Sequence, residues 1–259
     1  MRNPVNAGYE CPFINSQCIK RSQKIEGPYP ICSIYQGGGT ARSETVSAKQ
    51  ICVCPKRFFE ADFLQDVLDH CWVGPAPKNP QIAHEVKMAG FGTVDFVIAD
   101  VEPGPNVHNF LSVELQAIDI TGTCEPAYQA VLNKSMLDKR PSYGLNWANV
   151  HKRYVSQLIS KGFFHHHWNT RIVAVVQDYV YEYLQQNISF PEMQLKDSNV
   201  VFMLYKFADA PDKGPGHKCM VFDRIAPTNH NSLMSGILYR TPPSKDDFCK
   251  RILGQLAKS

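Results

Sequence analysis

Two apolar runs with acids set inside them constrain this chain more than any other feature. Residues 93–101 (TVDFVIADV) and 110–120 (FLSVELQAIDI) are rich in β-branched and aromatic side chains. Between them lie the turn-formers Glu102-Pro103-Gly104-Pro105-Asn106, so the pair reads as neighbouring antiparallel strands. Side chains alternate along a strand, which sets Val94, Phe96 and Ile98 on one face and Asp95, Val97 and Ala99 on the other. Glu114 and Gln116 stand two apart and share a face. A carboxylate inside such a run is costly unless a cation or a hydrogen-bond donor meets it. Asp95 and Glu114 are therefore expected to meet across the sheet and hold a divalent cation, with Gln116 orienting a water beside it. Mg²⁺ suits two carboxylates and retained waters, and that chemistry is what phosphodiester hydrolysis requires. The plainer reading sets both acids on the wet face of an antiparallel sheet. Glu85, in His84-Glu85-Val86-Lys87, is a candidate accessory acid; taken alone it reads as a surface carboxylate.

The remaining periodicities give a mixed α/β order. Helical spacing runs over 59–70, 125–138, 146–161 (with Gly162 as a stop) and 246–257, and strand composition over 171–176 and 200–207. With 259 residues, 44% hydrophobic and 20% charged, the chain suits one large domain, or a main domain with an appendage, and excludes disorder and coiled coil. No apolar run reaches the roughly 18 residues of a membrane span, and the first residues lack a secretory stretch, so a soluble, cytoplasmic protein is expected. A net charge of +3 does not discriminate among partners.

Five of the nine cysteines (Cys11, Cys18, Cys32, Cys52, Cys54) fall in the first 54 residues, a stretch with too few large apolar groups for its own core. The reading divides the chain into a metal-binding segment, 1–58, and a main domain, 59–259. Cys11, Cys18 and Cys32, with either Cys54 or Cys52, would make a closed tetrahedral site for Zn²⁺ or a single iron. Cys71, Cys124, Cys219 and Cys249 read as free buried thiols. A redox pair is disfavoured, since no C-x-x-C occurs.

The helix over 146–161 carries Asn146, Asn149, His151, Lys152, Arg153 and Lys161. Asn and Arg suit bidentate base contacts and Lys meets phosphate, which makes this a candidate DNA-binding face. The alternative is the solvated side of an amphipathic helix. Lys134, Lys139 and Arg140 extend the basic strip. Lys20, Arg21, Lys24, Lys56 and Arg57 make the cysteine segment basic, as if it supported the DNA surface. His165-His166-His167-Trp168 reads as a surface loop.

Several blocks resemble the NotI-type restriction endonucleases. Glu10-Cys11-Pro12-Phe13-Ile14-Asn15 with Cys18-Ile19-Lys20, Ile31-Cys32-Ser33, and Cys54-Pro55-Lys56-Arg57 resemble that family's four-cysteine segment, which selects Cys54 over Cys52 and implies iron. His84-Glu85-Val86-Lys87, Val94-Asp95-Phe96-Val97 and 113–121 (VELQAIDIT) resemble its variant of the PD-(D/E)xK nuclease core, a central mixed sheet flanked by helices. The resemblance makes Asp95 and Glu114 Mg²⁺ ligands, puts Gln116 where the usual lysine stands, and makes Glu85 an accessory acid. Gly144 to Arg153 is similar over consecutive residues. An amide carries no charge and accepts no proton at neutral pH, so more of the chemistry falls to the metal, or to two metals.

The expectation is a Mg²⁺-dependent type II restriction endonuclease that cuts double-stranded DNA at a specific site. A homodimer matches a palindrome, and a GC-rich target follows from the relatives alone. The rivals are a non-catalytic metal-ribbon DNA-binding protein and a redox or metal-storage protein; neither needs paired acidic strands.

Overall fold

The computed structural model describes residues 8–21, 27–36, 49–104, 106–136 and 143–257. Near the N-terminus, β1 (Glu10–Cys11) pairs with β2 (Ser16–Gln17), and β3 (Ser33–Gln36) with β4 (Lys49–Cys52). A 3-10 turn, Pro55–Glu60, leads into α1 (Phe63–Cys71), whose first turn is capped by Asp62 accepting from the Gln65 amide. Next come β5 (Pro80–Met88), β6 (Gly92–Glu102) and β7 (Asn106–Gln116), an antiparallel meander. A small flap follows: β8 (Ile120–Gly122), α2 (Glu125–Asn133) and β9 (Tyr143–Leu145), with β8 paired to β9. Three abutting helical segments then run on as one rod: α3 (Trp147–Asn149), the π-helical Val150–Val155, and α4 (Ser156–His167). β10 (Ile172–Gln177), α5 (Asp178–Ile188), β11 (Val200–Asp209), β12 (Lys218–Thr228), α6 (His230–Leu238) and α7 (Lys245–Leu256) complete the chain.

One six-stranded sheet organises these elements, in the order β12-β11-β10-β7-β6-β5. Its centre is parallel, β7 to β10 and β10 to β11, and both flanks are antiparallel, which makes it mixed. The central strands are buried on both faces, as parallel strands must be. Ile172, Ala174, Val176, Val200, Phe202 and Leu204 pack beneath the long helix, α5 and α6. Val173, Val175, Val201, Met203 and Tyr205 pack with α1 and the 3-10 turn on the other side. Leu111 and Val113 of β7 face the second layer, so Ser112, Glu114 and Gln116 face the first.

The α/β expectation holds, and so does the antiparallel pairing of the two acid-bearing strands. Several local readings do not. The second apolar run is no single strand: β7 ends at Gln116 and Ile120 opens β8. Gly162 does not stop its helix, which runs to His167. A Cβ at Gly162 would lie 2.7 Å from Val200 Cγ2 and 3.1 Å from His230 Cβ, so the glycine is there for close packing. The three histidines end that helix and are not a loop, and His165 is fully buried. Cys249 is exposed and Cys219 only half-buried, unlike the buried thiols expected. The helix expected over 125–138 ends early, at Asn133, where Lys134 takes a left-handed cap; Lys139, Arg140 and Lys24 lie outside the described residues.

The cysteine segment is held by packing. Ile34, Ile51 and Val53 belong to the same cluster as the sheet and the long helix, and Phe58 belongs to the opposite one. Lys20 Nζ donates to the Ile31 carbonyl at 2.8 Å and the Val53 carbonyl at 2.6 Å, tying the two stretches that carry Cys32 and Cys54.

Candidate active site

The paired acids are set by register. Phe96 pairs with Val113 and Val97 with Ser112, so one further step puts Asp95 opposite Glu114. The regular ladder stops there because the Leu115 amide donates instead to Asp95 Oδ2, 2.8 Å away. A carboxylate thus replaces a ladder bond, and the two strand ends part beside a cavity. Glu85 also stands opposite Asp95 in register, since His84 pairs with Phe96 and Val86 with Val94. Its backbone is left-handed (φ 50°), which interrupts the pairing. Glu85 is exposed, and no group of three or more His, Cys, Asp or Glu side chains among the described residues is arranged to hold a metal. The three acids therefore do not close into one cluster.

Glu114 is not on a wet face. Its side chain is only 12% exposed and pairs with the Lys161 ammonium, itself 2% exposed. Lys161 Nζ also donates to the Thr93 carbonyl at 2.8 Å. Burial pushes the Glu114 carboxyl up to about 7; the Lys161 hydrogen bond and charge oppose that, and Asp95 adds to it. One turn further along α4, His165 Nε2 meets Ser112 Oγ at 2.8 Å, and its Nδ1 meets the Lys161 carbonyl at 2.7 Å. Four residues of helix advance about 6 Å and two residues of strand about 6.6 Å, so Lys161 and His165 match Glu114 and Ser112. Burial lowers the His165 pKa to about 4.

Sequence reasoning set Lys161 on the solvated DNA-binding face; the structure corrects this. A lysine in a helix reads as exposed by default, and the signal available was phase. Lys161 falls three residues after Leu158 and four before His165, on the inward stripe.

A cavity of about 220 Å³ begins one residue past Glu114 on β7 and is lined by Val53, Pro55, Leu115, Gln116, Ala117, Asp119, Asn149, Arg153, Tyr154 and Gln157. Gln116 Nε2 donates to the Ala117 carbonyl. Asn149 Nδ2 donates to Asp119 Oδ2 at 2.9 Å. Of the candidate DNA-binding residues, Asn149 and Arg153 therefore line this cavity, and Lys152 is exposed nearby. Asn146 caps α3, accepting from the Asn149 amide at 3.2 Å. His151 lies against Tyr183 (ring centroids 5.2 Å apart), and burial, with the Arg240 charge, lowers its pKa.

The donors at the acid pair suit Mg²⁺: they are hard carboxylate oxygens from two strands, one step along β7 from the polar cavity lined by Leu115 and Gln116. The cysteines fit a metal less well. Cys32 and Cys54 are in hydrogen-bond contact, with Cys11 within electrostatic range. That contact, opposed by burial, lowers the Cys54 thiol to about 6. Cys52 instead sits in the second apolar layer, its Sγ donating to the Cys54 carbonyl at 3.3 Å. The four thiols are not brought together as a metal-holding group, and the Lys20 bridge does the tying expected of a metal.

A mixed sheet with helices on both faces, paired acids where two strands part and an arginine-lined cavity beside them define a nuclease core. A family model described as restriction endonuclease NotI matches residues 5–218. The chain belongs to the NotI restriction endonuclease family. It is a type II restriction endonuclease, a site-specific deoxyribonuclease that acts on double-stranded DNA. No curated protein matches the chain. Among the described residues no helix is long and apolar enough to cross a membrane.

Proposed function

We propose that this enzyme is a Mg²⁺-dependent, cytoplasmic homodimer that hydrolyses one phosphodiester bond per strand at a palindromic, GC-rich site. The observation that carries the catalytic reading is the convergence of Asp95 and Glu114 where β6 and β7 part, beside the Gln116 and Arg153 cavity. Mg²⁺, when bound by these two carboxylates, would activate water and offset charge on the phosphate. Lys161 holds one Glu114 oxygen and balances its charge, which leaves the other oxygen for the cation. Gln116 orients the attacking water by hydrogen bonding and takes no proton. Arg153 meets the phosphodiester, and Asn149 and Lys152 belong to the same DNA-facing stretch. Asn146 and His151 support that stretch, and Glu85, across from Asp95, is the accessory acid.

The two-part division at residue 58 belongs to the same reading, as does iron or zinc on Cys11, Cys18, Cys32 and Cys54. The metal rests on the family resemblance and would require Cys11 and Cys18 to join the Cys32–Cys54 pair. The dimer and the GC-rich target rest on family analogy too.

The test is cleavage of plasmid DNA with Mg²⁺, with the fragment ends sequenced. Glu114→Ala is expected to abolish cutting, and full activity in that variant overturns this active site.

A further inference from the structure

Tyr154 lies on the π-helical segment directly after Arg153, and it lines the same cavity as Gln116 and Gln157. It is 4% exposed, and its hydroxyl has no hydrogen-bond partner among the described residues. Folded proteins rarely leave a buried hydroxyl unpaired, because it has given up water and received nothing in return. An orphan in a packed core has no remedy. An orphan on a residue that lines a cavity has one, a ligand that brings an acceptor.

Two further observations point to what that ligand is. The backbone here is π-helical, a geometry that re-aims side chains and recurs at functional sites. The phenol is also within electrostatic range of both Glu114 and Asp95, the acids assigned to the cation. Burial and those two negative charges hold its pKa well above 10, so it stays a donor at neutral pH. A donor beside the cation site and next to an arginine suits a phosphate oxygen.

We infer that the Tyr154 hydroxyl donates a hydrogen bond to a non-bridging oxygen of the phosphodiester being cut, which makes it a catalytic residue alongside Gln116. This rests on the reading of Asp95 and Glu114 as the hydrolytic pair. The bond forms only when DNA occupies the cavity, so the free protein pays the desolvation of the hydroxyl in advance.

Tyr154→Phe removes that oxygen and no native hydrogen bond. It is measured in the full chain by plasmid cleavage kinetics with Mg²⁺, duplex binding with Ca²⁺ in place of Mg²⁺, and thermal melting without DNA. The expected result is a kcat about 10- to 100-fold lower, with KM and Ca²⁺-supported binding within about threefold and the melting temperature equal or higher. A kcat within about twofold of the parent overturns the inference, as does a loss of activity that tracks a lower melting temperature. Glu114→Gln, run in parallel, separates the two claims. If it is inactive while Tyr154→Phe is normal, only the tyrosine assignment fails; if it cuts normally, the acid pair itself is misassigned.

Discussion

Removing the charge of Lys161 tests how the acid pair is held. Its ammonium is 2% exposed and bonds the Glu114 carboxylate, 12% exposed. Lys161→Met leaves that carboxylate buried, with Asp95 near it and its countercharge gone, and breaking a buried pair from one side costs about 3–5 kcal/mol. Proton uptake caps the loss: the carboxyl already lies at about 7 through burial, so it neutralises readily once the lysine is gone. The expected cost near neutral pH is therefore about 2–3 kcal/mol. Glu114→Gln strands the ammonium instead, although the Thr93 carbonyl still accepts from it, and should cost a similar amount. The double variant has no charge left to strand. A buried ion pair replaced by neutral groups is often close to neutral in stability, so the double variant should be less destabilised than the sum of the singles by about 4–6 kcal/mol. The assay is urea unfolding of all four proteins at a common m-value. Additivity within about 0.5 kcal/mol would show that the two side chains do not act as a pair and refute the reasoning.

Two other outcomes follow from the same helix. The folded pKa of His165, about 4, lies below its ordinary 6.5, so the unfolded chain binds the extra proton between those values. Stability from this group is complete above pH 6.5 and is lost as pH falls towards 4, by about 3 kcal/mol in all; urea unfolding at pH 7 and 4.5 should show a steeper acid loss in the parent than in His165→Leu. Gly162→Ala should lower the melting temperature, because the contacts its Cβ would make with Val200 and His230 cost about 1–3 kcal/mol and outweigh a helix-propensity gain of about 1 kcal/mol. A higher melting temperature would mean that β11 and α6 can yield.

The acid-bearing strands were legible because alternation is a local rule: Val94, Phe96 and Ile98 are buried as the pattern requires, and Asp95 falls on the other side. The edge strand β5 was not legible. It is exposed along almost its whole length and opens with proline, so it has no apolar alternation to read. Lys161 was misread for a physical reason, since what overrides a lysine's preference for water is a carboxylate on a distant strand. The same holds for the cysteine segment. Its apolar residues are few, yet Ile34, Ile51 and Val53 suffice because the core they join is supplied by the sheet and the long helix. The histidine run failed because tertiary packing against Ser112 carried the helix past Gly162.

The charge that balances Glu114 arrives 47 residues downstream, from another element altogether. A signature written as a short string along one strand therefore counts this enzyme as lacking a basic group. Kinship among such nucleases is better sought in which side chains share a crevice than in how many letters separate them.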